Sequence, residues 1–208
     1  MSPIKKMIGL GLASTLDVGT GVIITYTVWT VLGLEVGWPQ YMFGIIFSMA
    51  PDLDLLVPFC KEFAGVKDSD SSHKANVTHY PLVTVPVCFL LVSVFSVKYA
   101  VLVVVCLVMH YIHDSWQSQE NGPGIRWFYP FLGGYYQILS KNKKEEKIKI
   151  FCKVPPERVK ETFQKNLEQW LENKFFQFTW ENFIGVLVFV IAVWIVAVTI
   201  SQVCAIDR

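Results

Sequence analysis

The chain has 208 residues, 53% of them hydrophobic and only 17% charged, with a net charge of +1 and a mean hydropathy of +0.43. This length suits one domain, and so much apolar sequence reads as membrane spans rather than as an oversized soluble core. The near-zero charge argues against a nucleic-acid partner, and five scattered cysteines (Cys60, Cys88, Cys106, Cys152, Cys204), never spaced CxxC, argue against a disulfide framework or a cysteine zinc site.

A membrane span needs about 20 apolar residues. Residues 7–34 are the first expected span, interrupted only by Asp17 and hydroxyl residues, and too long for a cleavable leader. Residues 37–59 are the second, broken near their end by Pro51, Asp52 and Asp54. Residues 80–97 are the third. Residues 99–116 are the fourth, closing on His110, His113 and Asp114. Residues 183–203 carry no charge and are the fifth. The expected fold is therefore an all-α, polytopic membrane helix bundle of about five spans. It divides into a membrane domain over 1–132, a partly helical cytoplasmic or interfacial insertion over 133–182, and a last span with its tail over 183–208.

Basic residues set the expected orientation. With the N-terminus in the cytoplasm, Lys5, Lys6, Lys61, Lys67, Lys74 and the lysine-rich 117–182 segment all fall inside, and Lys98 and Arg208 fall outside. The location that follows is a cell membrane, inner or plasma, with membrane lipids as the surroundings. Within the insertion, residues 125–139 are rich in Trp, Tyr and Phe, a composition that suits the membrane interface. The charged run 141–149 reads as a solvated surface. Ile148, Ile150, Cys152 and Val154 alternate with Lys147, Lys149, Phe151 and Lys153 in a strand-like pattern. Pro155-Pro156 then opens a helix, on which Val159, Phe163, Leu167, Trp170, Leu171 and Phe175 share one face, a packing stripe against the membrane surface or the bundle.

The chemistry is concentrated at one face. The four histidines are His73, His79, His110 and His113, and the expected spans bring all of them to the cytoplasmic side, together with Asp52, Asp54 and Asp114. His110 and Asp114 are four apart on a helix, so they share a side of it, with His113 alongside. Imidazole nitrogen with carboxylate oxygen suits a divalent transition metal, zinc foremost and manganese or iron as alternatives, better than calcium or magnesium. Taken singly, each residue has a plain structural reading: a histidine at a span end as an interfacial cap, Asp52 beside Pro51 as a turn residue, Asp17 as a hydrogen-bonded or proton-carrying group. Asn76-Val77-Thr78 fits a glycosylation acceptor, but the cytoplasmic side argues against its use. Joint placement at one face is what favours a metal.

These motifs resemble those of the YdjM-like family of membrane-bound metal-dependent hydrolases, an activity itself inferred from the motifs. The family shows PDxD, HRxxTH, and SHxxxD followed by a glycine-containing stretch ending in proline. Here they correspond to Pro51–Asp54, His73–His79, His110–Asp114 and Gly124–Pro130. Lys74 stands in place of the family's arginine, Met109 in place of a small residue, and Tyr80-Pro81 where serine is common; the ligand types are intact. The resemblance implies that Asp52, Asp54, His73, His79, His110 and Asp114 form the metal and catalytic set, with His113 an addition of this sequence. The expected activity is hydrolysis of a phosphoester or ester at the cytoplasmic face, with a lipid-like substrate suited to a site at headgroup depth. Asp52 or Asp54 would act as general base, and Lys74 or Arg126 would hold an anionic group. Two other readings remain open here: transport of a metal ion or proton through Asp17 and the histidines, and a scaffold without catalysis.

Overall fold

In the computed structural model the described residues are 3–55, 76–116, 124–141, 148–163 and 180–206, with Glu172 and Phe176. The fold is mostly helical. Helix α1 is Pro3–Val31, α2 is Trp38–Met49, α3 is Pro81–Ser93 and α4 is Val97–Ser115. An antiparallel hairpin of β1 (Tyr136–Lys141) and β2 (Ile148–Lys153) follows, then the short helix α5 (Pro156–Phe163) and the long α6 (Trp180–Ile206).

Among the described residues, three helical stretches are long and apolar enough to cross a membrane: Met7–Val31, Val97–Ser115 and Asn182–Gln202. The other two expected spans are shorter helices. α2 starts with Gly37 donating its N–H to the Gln40 side chain at 3.0 Å and with Pro39 in the first turn. It has 12 residues, and the 3-10 turn Ala50–Leu55 then tightens the chain through Pro51. Pro51 has no N–H to continue the helical ladder, and 3-10 turns are a common way for a helix to end. α3, with 13 residues, begins at Pro81 and carries Pro86 within it.

Helix directions follow from the pairs in contact. Asp17 meets His110 and His113 while Trp29 meets Tyr99, so α1 and α4 are antiparallel. Ser48 reaches Asp17 while Gly21 faces Gly44, so α1 and α2 are antiparallel too. Gly19 lies against Val188 and Phe189, and Gly185 against Thr15 and Leu16, so α1 and α6 run in parallel. The α1–α2 crossing is made by small residues. A Cβ on Gly21 would sit 2.8 Å from the Gly44 carbonyl oxygen and 3.0 Å from the Ser48 Cβ. Helix association in lipid gains from such close backbone approach, because apolar side chains have no preference for each other over lipid. Much of α6 faces outward with exposed apolar residues, including Val186, Leu187, Val190, Val193 and Trp194, as a lipid-facing helix does.

The core lies between α1, α2, α3 and α4. Ile24, Trp29, Leu102 and Cys106 form one buried cluster, and Val103, Leu107, Tyr111 and Ile125 form another. On α4 the buried stripe Val103, Cys106, Leu107, His110, Tyr111, Asp114 repeats every three or four residues. It is apolar for most of its length and becomes ionisable in its last two turns.

The alternating pattern at 148–154 does form a strand. β2 pairs with β1 in the register Tyr136↔Lys153, Ile138↔Phe151 and Lys141↔Ile148, so the helices carry a small sheet in addition to the expected all-α bundle. The sheet is tied to the bundle by the bridge Ile125↔Tyr136. Gly124 makes that approach possible: its φ is +70, and a Cβ there would run into the Tyr136 carbonyl. Trp127 donates its indole N–H to Ser115 Oγ at 2.7 Å, fastening the same segment to the end of α4. Of the expected amphipathic helix, Pro156–Phe163 is described; its continuation through 164–171 lies outside the described residues.

Candidate metal centre

Three chain segments meet at the end of α4. The 3-10 turn after α2 brings Asp52, the 3-10 turn Val77–His79 brings His79, and the last turns of α4 bring His110 and Asp114. One ligand atom from each of these four residues lies within 4.8 Å of the others. His79 Nε2 is 3.4 Å from Asp52 Oδ1 and 3.4 Å from Asp114 Oδ2. His110 Nε2 is 3.7 Å from each of the same two oxygens. A tetrahedral zinc site with ~2.1 Å bonds has ligand–ligand edges of about 3.4 Å. The four histidine–aspartate distances are close to such an edge, so the group could hold a metal ion. His79, His110 and Asp114 are buried and Asp52 is partly exposed, which leaves one open side. His110 Nε2 is buried and has no hydrogen-bond partner among the described residues. A buried nitrogen lone pair of that kind is costly unless something takes it up, and a cation answers the need.

The far edge of each imidazole is backed by an oxygen network that ends in a carboxylate. His110 Nδ1 donates to the Ser48 carbonyl at 2.9 Å and lies 3.2 Å from Asp17 Oδ1. Ser48 Oγ donates to the Asp17 backbone carbonyl at 2.6 Å. His113 Nδ1, on a partly exposed ring, lies 3.4 Å from the same Asp17 oxygen. On the other imidazole, His79 Nδ1 lies 3.2 Å from Thr78 Oγ1, which itself donates to Asp54 Oδ2 at 3.1 Å. The hydroxyl has one proton, so with that proton on Asp54 it accepts from His79 Nδ1–H. Asn76 Nδ2 also donates to Asp54 Oδ2, at 2.6 Å. Tyr111 closes the turn from below, its hydroxyl donating to the Thr78 carbonyl at 2.6 Å.

Burial by itself would lower the pKa of His79. Its hydrogen bonds to Asp114 and Asp52, and the charges of both, outweigh that and hold it above the ordinary imidazole value.

The expected site residues thus separate. Asp52, His79, His110 and Asp114 converge. Asp54 stands outside that group, 3.9 Å from His79 Nδ1, and holds the turn that carries His79. Arg126 sits among three tyrosines: it donates to the Tyr80 hydroxyl at 3.0 Å, and its guanidinium carbon lies 5.5, 5.8 and 4.9 Å from the ring centres of Tyr80, Tyr129 and Tyr135. Its Nε is buried without a hydrogen-bond partner among the described residues. His73 and Lys74 lie outside the described residues. The supporting roles of Ser48, Asn76, Thr78 and Tyr111 have no mark in the sequence, although Asn76 and Thr78 fall inside the segment that the histidines His73 and His79 frame.

Apolar helices able to cross a bilayer and a His/Asp cluster able to hold a metal ion define a membrane protein with a candidate metal centre. The YdjM inner membrane protein family matches over residues 16–203, and the chain belongs to that family. That match covers the four converging residues and the last membrane helix together. No curated protein and no solved structure matches the chain.

Proposed function

We propose that this protein is a membrane-embedded, metal-dependent hydrolase of phosphoesters or esters, with a lipid-like substrate, working at the cytoplasmic face of the inner membrane. The observation that carries the reading is the convergence of one ligand atom each from Asp52, His79, His110 and Asp114 within 4.8 Å of one another, with His110 Nε2 buried among them. Two neutral imidazoles and two carboxylates fit zinc best, with manganese or iron able to use the same set. A divalent ion bound there supplies a polarised substrate oxygen and water acidic enough to be deprotonated near neutral pH.

The chain's own groups provide the rest. With His79, His110 and Asp114 able to hold the ion and leave a position open to water, the partly exposed Asp52 is suited to take the proton of the attacking water as that water's oxygen bonds to the phosphorus or carbonyl carbon. The proton then goes to the leaving alkoxide. Asp54 spends Oδ2 on Asn76 and Thr78 and is suited to holding His79 in place. Arg126, stacked on tyrosines and with Nε directed at no described acceptor, is suited to hold an anionic group of the substrate, and Lys74 would share that work.

Topology bears on the substrate. α1 runs opposite to α2 and α4 and along α6, as five alternating crossings require whichever side the N-terminus is on. Asp17 lies about 15 Å along α1 from Met7, where the apolar run begins. The site therefore lies within the apolar span, and a lipid ester would have to dip below the headgroup plane to reach it.

The test is turnover by detergent-purified protein supplied with zinc or manganese. The substrates are a chromogenic phosphomonoester, a chromogenic carboxylic ester, and a phospholipid in mixed micelles. The expected result is hydrolysis of at least one, abolished in Asp52→Asn. A loaded metal site that turns over none of the three would overturn the hydrolytic reading.

A further inference from the structure

Asp17 is the only charged residue in the apolar stretch Met7–Val31, and it is 5% exposed. A carboxylate buried in a membrane helix is costly unless it has a partner, and such residues are usually functional. Its partners are the Nδ1 atoms of His110, at 3.2 Å, and His113, at 3.4 Å.

We propose that Asp17 is the positioning residue for His110: it holds the imidazole in the tautomer and orientation that turn Nε2 onto the metal group. This inference rests on the metal reading above. A neutral imidazole carries one N–H. Two acceptors, the Ser48 carbonyl and Asp17 Oδ1, face Nδ1, so the proton sits there and the lone pair sits on Nε2. The three residues form a closed loop. Ser48 Oγ donates to the Asp17 carbonyl, His110 donates to the Ser48 carbonyl, and the Asp17 carboxylate stands beside the same His110 nitrogen. The loop ties α1, α2 and α4 together at the depth of the site. Asp17 is not itself one of the converging group, because it lies against the opposite edge of the His110 ring from Nε2. A carboxylate behind a metal-binding histidine fixes its ring and raises its basicity as a ligand. The same construction recurs at His79, where Asp54 acts through the Thr78 hydroxyl.

The test is cobalt binding by the full-length protein in detergent. Affinity is read by chelator competition and the ligand field by visible absorption, for wild type, Asp17→Ala, Asp17→Asn and a packing control, Thr25→Val. Thr25 is a buried polar residue of the same helix, bonded to the Gly21 carbonyl and remote from the histidines. The expected result is a roughly 10- to 100-fold loss of affinity in Asp17→Ala with unchanged stoichiometry and a shifted spectrum. A smaller loss is expected in Asp17→Asn, which keeps an acceptor for the Nδ1 proton, and none in Thr25→Val. Should Asp17→Ala fail to fold, the isosteric Asp17→Asn carries the comparison. Wild-type affinity and spectrum in the Asp17 variants would overturn the inference while leaving the metal site standing. An equal loss in Thr25→Val would also overturn it, in favour of helix packing alone. A wild-type protein that binds no cobalt would remove the metal reading and this inference together.

Discussion

Replacing Gly21 by alanine adds one methyl group at the narrowest point of the α1–α2 crossing. That methyl would stand 2.8 Å from the Gly44 carbonyl oxygen and 3.0 Å from the Ser48 Cβ. Comfortable contacts lie near 3.5–4.0 Å, so the helices must part by roughly half an ångström or more. Neither obstacle is the end of a flexible side chain, so no rotamer change relieves the clash. Overpacking of this kind costs about 1–3 kcal/mol, which for a chain of this length is a fall in melting temperature on the order of 5 °C. The same displacement draws Ser48 and Asp17 away from His110, so metal affinity falls as well, about tenfold by analogy with other losses of support behind a ligand. Gly11→Ala is the matched control, on the same helix and with nothing within 4 Å of the added carbon. Thermal unfolding of the two variants in detergent, with and without zinc, checks both numbers. If Gly21→Ala melts with Gly11→Ala and binds zinc as tightly, then the crossing does not set the position of the site and the reasoning fails.

Three further outcomes are expected. Ser115→Ala leaves the partly buried Trp127 indole N–H without its acceptor and destabilises the protein by about 1 kcal/mol, read by chemical or thermal unfolding; Met109→Ala, at a 40% exposed position on the same helix, costs less. Asp54→Ala frees the Asn76–Thr78 turn and lowers metal affinity by roughly 10- to 100-fold, measured by chelator competition; an unchanged affinity would show that His79 needs no support from Asp54. The third concerns pH. The folded pKa of His79 is raised, since Asp114 and Asp52 outweigh burial, so its contribution to the metal-free protein is fully present below its ordinary value near 6.5 and is lost as pH rises through the raised value. Metal-free protein should therefore melt lower as pH increases through that window, and His79→Gln should flatten the trend. Zinc affinity should move the opposite way, weakening as pH falls, because the ion must displace that proton.

The sequence carried the site most plainly where spacing is enforced by a regular element. His110 and Asp114 are four apart on α4, and four apart on a helix is one face, so their convergence needed only the helix. The strand at Ile148–Lys153 was legible for the same reason, its alternation being the strand's own period. The PDLD turn was harder. Asp52 and Asp54 are equivalent as text, yet the chain there is a 3-10 turn with three residues per turn, which sends residues two apart to different sides. Asp52 consequently joins the histidines and Asp54 turns to Asn76 and Thr78. The second span fell short for a reason that the sequence holds: Pro51 has no N–H to give the Phe47 carbonyl, and the chain passes from α2 into a 3-10 turn at Ala50. Asp17 was the least legible residue. Its partners His110 and His113 are on another helix, and only the α1–α4 packing reveals that a lone charge in an apolar run stands behind a candidate metal ligand.

The central claim is that Asp52, His79, His110 and Asp114 hold a transition-metal ion. Elemental analysis of the detergent-purified protein, after exposure to zinc and manganese and removal of the excess, tests it most directly beside a His79→Ala, His110→Ala double variant. The account predicts bound transition metal in the wild type and its loss in the folded double variant. Metal-free wild-type protein, or the same metal content in both, would contradict it.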